Sequence, residues 1–144
     1  MADFYPIVVD SANQILKELP SGDTLNLTDS TIKTKDLLID GLVTQTVVST
    51  GTSTIDLAEG SYHKYVLTGS VSITTISNAV ASVAQAFIVE VQNGGSYAVT
   101  WPSSIQWDGS SAPALDANKT TIFVFISSDG GTKWRGQVSS VTTT

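Results

Sequence analysis

Residues 121–138 read TIFVFISSDGGTKWRGQV, and the alternation in this stretch decides what kind of fold the chain adopts. Successive side chains of a strand point to opposite faces, so Ile122, Val124 and Ile126 share one face and Phe123 and Phe125 the other. Apolar residues on both faces describe a strand covered on both sides. Ser128–Asp129–Gly130–Gly131–Thr132 then interrupts the run, and its paired glycines offer the positive φ that a tight hairpin demands. Beyond the turn, Lys133, Arg135 and Gln137 are expected to face water while Trp134 and Val138 face inward. The stretch reads as a β-hairpin.

The same grammar recurs upstream. QAFIVEVQ (85–92) places Phe87, Val89 and Val91 on one face and Ala86, Ile88, Glu90 and Gln92 on the other. Asn93–Gly94–Gly95–Ser96 and YAVTW (97–101) follow, which reads as a second hairpin of the same kind. SYHKYVLTG (61–69) and SVSITTIS (70–77) are two further alternating stretches parted by Thr68–Gly69–Ser70. Composition agrees: 15 Val, 11 Ile and 19 Thr are stiff at χ1 and suit a pleated surface. About eight strands with regularly spaced turns suggest an all-β, jelly-roll-like β-sandwich over residues 51–144. A helix is expected at most over 78–84, NAVASVA, and no βαβ pattern occurs.

The 144 residues make one domain by the usual prior, long enough to bury a core without staples, and no cysteine is present to make any. The formal charge of −6 is uneven. Nine acids and three lysines fall in residues 1–60, against four acids and four bases in 61–144. A chain this acidic with one arginine is a poor phosphate binder, so nucleic acid is not an expected partner. No apolar run approaches a membrane span and the N-terminus lacks the marks of a signal peptide, so no membrane insertion is expected.

Two further zones precede the sandwich. In residues 1–20, FYPIVV is followed by a two-turn helix that Ser11 can cap and Pro20 ends. Such a helix is too short to stand alone. Its apolar residues, Phe4, Tyr5, Ile7, Val8, Val9, Ile15, Leu16 and Leu19, either pack on their own domain or dock on another chain; the second reading makes this zone an N-terminal docking arm. Residues 21–50 hold short β-prone pieces between turn-formers. They suit a short β-stalk in which three copies share a narrow core, or else a sheet edge of the domain that follows.

Catalytic apparatus is hard to assemble from this sequence. His63 is the single histidine and sits in an alternating strand beside Tyr65 and Leu67, a structural setting. No nucleophile elbow or phosphate-binding loop occurs, and NGGS and SDGGT precede no helix. Asp36 with Asp40, and Asp116 with Asn118, lack the dense acidic loop that calcium requires. The Asn26 and Asn118 sequons have no secretory context. Neither a cofactor nor a metal is expected. Trp101 and Trp107 are read as plugs between sheets, with a stacking platform for a sugar as the alternative.

Trp101–Pro102, Ile105 and Trp107, Gly109 with Ala112–Pro113, and a hairpin carrying Phe125, Asp129, Gly130, Gly131, Thr132, Trp134 and Gly136 follow one another along this part of the chain. Over residues 99–138 the chain thereby resembles the C-terminal β-domain of tailed-bacteriophage fibre and virion surface proteins. The resemblance implies a non-enzymatic virion protein, usually a homotrimer, attached by its N-terminus with the β-domain outward. It would be assembled in the host cytoplasm and displayed on the virion surface. A chain of 144 residues suits a capsid decoration, cement or short head-fibre protein docked on the major capsid protein or another virion protein. The alternative is a tail-fibre or baseplate module that binds a receptor or host surface glycan.

Overall fold

The computed structural model describes residues 43–143. Residues 1–20, expected to be a docking arm, and most of the 21–50 zone, expected to be a stalk, lie outside them. Ten strands and no helix are present among the described residues: β1 (Val47–Ser49), β2 (Thr54–Asp56), β3 (Tyr62–Leu67), β4 (Val71–Ser72), β5 (Thr75–Ser77), β6 (Gln85–Asn93), β7 (Val99–Thr100), β8 (Ile105–Trp107), β9 (Lys119–Ser127) and β10 (Trp134–Thr143). They form a six-stranded sheet in the order β1-β3-β6-β9-β10-β8 and two small sheets, β2-β5 and β4-β7. The all-β expectation holds.

The pairing differs from that of a jelly roll, which is built from antiparallel Greek-key strands. Five of the seven ladders are parallel: β1 with β3, β3 with β6, β2 with β5, β4 with β7, and β8 with β10. Only β6–β9 and β9–β10 run antiparallel. From β1 to β7 the chain coils, laying β3 on β1, β5 on β2, β6 on β3 and β7 on β4. Side-chain alternation has the same two-residue period in either ladder, so it marks extended segments without naming their neighbours. β1, from the end of the 21–50 zone, is one edge of the large sheet.

The hairpin that opened the sequence reading is β9–β10, turning at Gly130 (φ 72°) and Gly131 (φ 84°). The upstream stretch is not its twin. Strand β7 pairs with β4, so the chain leaves β6 at a corner rather than a hairpin, and neither Gly94 nor Gly95 has positive φ. Asn93 makes that corner. Its buried side-chain amide donates to the Tyr97 and Asp116 carbonyls, and its Oδ1 accepts from the Gly95 and Tyr97 amides. Residues 78–84 form a loop, not a helix, with positive φ at Asn78 and Ser82. The Gln85 carboxamide ties Val80 there, its Oε1 accepting from the Val80 amide and its Nε2 donating to the Val80 carbonyl. SVSITTIS also divides, into β4 and β5. At the break Ile73 is buried and its amide donates to the Thr100 carbonyl at 2.8 Å.

Apolar side chains from the inner face of the large sheet and from the small sheets meet in one core: Ile55, Tyr65, Leu67, Ile73, Phe87, Val89, Val91, Ile105, Phe123, Phe125 and Trp134. Phe87 stacks on Phe125 and meets Trp134 edge-on, each at 4.8 Å between ring centroids. Each such buried ring stabilises the fold by about 1.5–3 kcal/mol over leaving it exposed. The expected face of Phe87, Val89 and Val91 is fully inside. The opposite face of β9 is not covered: Ile122 and Val124 are half-buried and Ile126 is 46% exposed.

Candidate functional site

The short strand β8 lies parallel to the first residues of β10, with Ile105 beside Trp134, Gln106 beside Arg135 and Trp107 beside Gly136. Arg135 in turn faces Ile126 across the β9–β10 ladder. Alternation does the rest. Ile105 and Trp134 turn into the core, while Gln106, Arg135, Gln137 and Ile126 project outward and are exposed. With Asp108, Trp107 and Gly136 they line an open groove of about 460 Å³ on the outer side of the sheet end. A second hollow, of about 470 Å³, is lined by Ile105, Gln106, Trp107 and Ser110.

The floor is held close by the absence of a side chain. A Cβ at Gly136 would meet Phe125 Cε1 at 2.8 Å, Trp107 Cζ3 at 3.0 Å and Ile105 Cγ2 at 3.1 Å. Trp107 and Trp101 lie edge-to-face at 5.5 Å, and both pack on Phe123 and Phe125 at 5.1–5.6 Å. Both indoles are half-buried against the core. The plug reading therefore describes their packing, with each indole already engaged by other aromatic rings.

Chemically the groove offers a guanidinium, two carboxamides and a carboxylate around an exposed isoleucine. Among the described residues the ion pair is Lys64–Glu90, so Arg135 has no carboxylate partner there. Five fixed N–H donors and two amides that both donate and accept can hold a ligand rich in oxygen. Arg135 and Gln137 face water, as alternation along the strand predicts. Alternation could not place Gln106 and Asp108 beside them, because nothing local announces that β8 pairs with β10.

The other residues singled out fall elsewhere. His63 is buried in β3, where its Nε2 meets the Gly60 carbonyl at 2.9 Å and Nδ1 has no partner among the described residues. Burial holds its pKa below the ordinary 6.5, against the opposing pull of the Gly60 carbonyl, Glu59 and Asp56. Asp129 is a turn clamp: it accepts from the Ser127 hydroxyl and the Lys133 amide, the latter first in holding its carboxyl below the usual range. Asp56 does the same for Asn78 and Ala58. On the outer face of β3–β6, Glu90 accepts from Tyr62 Oη at 2.6 Å and pairs with Lys64 at 3.0 Å. No group of three His, Cys, Asp or Glu residues suited to a metal occurs among the described residues. Nor is any helix there long and apolar enough to cross a membrane. Phe4, Tyr5, Ile7, Val8, Val9, Ile15, Leu16 and Leu19 lie outside the described residues. Comparison with protein-family models, with curated proteins and with solved structures found no match.

Proposed function

We propose that this chain is a non-enzymatic structural protein of a tailed-phage virion surface, a capsid decoration, cement or short head-fibre protein. The apolar residues of 1–20 dock it on the major capsid protein or another virion protein, identical chains associate through the 21–50 zone, and the β-domain stands outward. The observation that carries this reading is the core itself. Among the described residues its aromatic and aliphatic side chains, from Ile55 to Trp134, already meet in one core, which supports a β-domain with apolar packing of its own. The resemblance of residues 99–138 to fibre-type proteins supports the virion setting. Deletion of residues 2–20 should abolish attachment to particles and leave the β-sheet circular dichroism and melting of the remainder intact. Normal decoration by the truncated chain would reject the docking arm.

The groove beside β8 favours a second reading, a receptor- or glycan-binding module. Gln106, Asp108, Arg135 and Gln137 form the amide and charge cluster that a saccharide's hydroxyls would need, and Ile126 offers an apolar patch to its C–H face. Titration of an oligosaccharide panel against the intact chain tests this. Arg135→Ala with Gln106→Ala should weaken any true ligand on the order of tenfold to 100-fold, about 1.4 kcal/mol per decade. A panel with no ligand, or one bound equally by the double variant, removes the reading.

A further inference from the structure

Strand β10 outruns its neighbour. β8 is in register with only Trp134, Arg135 and Gly136, whereas β10 continues along β9 to Thr143. From Gln137 onward, one edge of β10 therefore has no strand beside it among the described residues. The face of the strand tells the same story. Gly136 stands opposite buried Phe125, Val138 opposite buried Phe123 and Val141 opposite buried Thr121, so the core-facing row runs on along β10. Yet Val138 is 38% exposed and Val141 49% exposed. The expectation that Val138 faces inward holds in direction only: β8 ends with Trp107 beside Gly136, and Val138 lies beyond it, partly exposed.

An open strand edge invites pairing, and proteins blunt such edges with charge, proline, bulges or shortness. Residues 137–143, QVSSVTT, carry neither charge nor proline. A bulge between Val138 and Ser140 is present, and past it Ser140–Thr143 pair regularly with β9. We propose that this half of β10 is a pairing edge for the same strand of a second copy of the chain. Two uncharged copies of one strand can lie antiparallel about a twofold axis with no like charges opposed, although the whole chain carries −6. The pairing satisfies the edge amides and carbonyls and gives Val138 and Val141 an apolar counterpart. Such a contact is twofold, and so is distinct from any threefold association through residues 21–50. It buries far less than the roughly 800 Å² per partner of a stable interface, so it operates where copies are crowded together.

The chain has no cysteine, which makes the test direct. Single cysteines are introduced in the intact chain at Ser139, Ser140, Thr142 and Thr143, with Val80→Cys, on an exposed loop, as the control. Under mild oxidation one or two of the β10 positions should form covalent dimers on the order of tenfold faster than the control, because pairing raises their effective concentration. Adding Val141→Lys should return those rates to the control value while leaving the melting temperature unchanged. Uniform rates across β10 and Val80→Cys, or rapid cross-linking that Val141→Lys does not slow, would overturn the proposal.

Discussion

At the scale of single residues, two buried or half-buried groups make the electrostatics testable. Tyr62 donates to Glu90 across the parallel β3–β6 ladder, and that hydrogen bond, with burial and the carboxylate's charge, pushes the phenol up to about 12. The same bond heads the causes that hold Glu90 below its ordinary value. Glu90→Gln should bring Tyr62 back toward 10, read by ultraviolet titration against Tyr62→Phe. His63 works in the opposite sense to a salt-bridged histidine. Its folded pKa lies below the unfolded 6.5 because the charged ring would be buried with Nδ1–H unpartnered. The unfolded chain therefore takes up the proton first, and stability is full above 6.5 and falls as the pH drops through and below that value. Urea midpoints between neutral pH and pH 5 should show that decline in the native chain and a flatter course in His63→Gln. Sequence placed His63 correctly on the face of Tyr65 and Leu67; its unpartnered nitrogen depends on a loop contact with Gly60 that alternation does not predict.

At the scale of elements, the two Gly–Gly segments that look alike in sequence do different work. Gly130 has φ 72°, and a Cβ there would meet the Ser82 amide nitrogen at 2.6 Å and Ala81 Cα at 2.8 Å. Gly94 lies outside the left-handed region and a Cβ there would meet nothing within 4 Å. Gly130→Ala should therefore cost about 1–3 kcal/mol, and Gly94→Ala should stay within about 0.5 kcal/mol of the native chain, both measured by chemical denaturation. Equal costs would mean that Gly94 is a hairpin residue after all. What separates them is the partner strand: β9 returns beside itself through Gly130, whereas β6 hands over to β7 and so to β4. Turn chemistry in the sequence was the same in both places. Asn93, buried and bonded to Tyr97 and Asp116, is the feature that makes the corner, and its role shows only once those segments are brought together.

At the scale of the molecule, the sheet is unevenly protected. Among the described residues β3, β6 and β9 each have ladders on both sides, while β1, β8 and the far half of β10 are edges. In dilute protein, amide exchange should be slowest in the middle of β6 and β9 and fast at those amides of residues 137–143 that point away from β9, despite their place in a ten-residue strand. Slow exchange of those amides at the lowest concentration would mean that the edge is covered within one chain. The same unevenness separates what the sequence determined from what only the tertiary structure decided. Alternation and β-branched composition were enough to establish an all-β domain, the inward row Phe87–Val89–Val91, the burial of Trp134 and the β9–β10 hairpin, because each depends on residues near one another in the chain. The parallel coil, the exposure of Val138 and the gathering of Gln106 with Arg135 depend on which distant strands become neighbours. A two-residue period is silent on that choice, since parallel and antiparallel ladders use the same alternation.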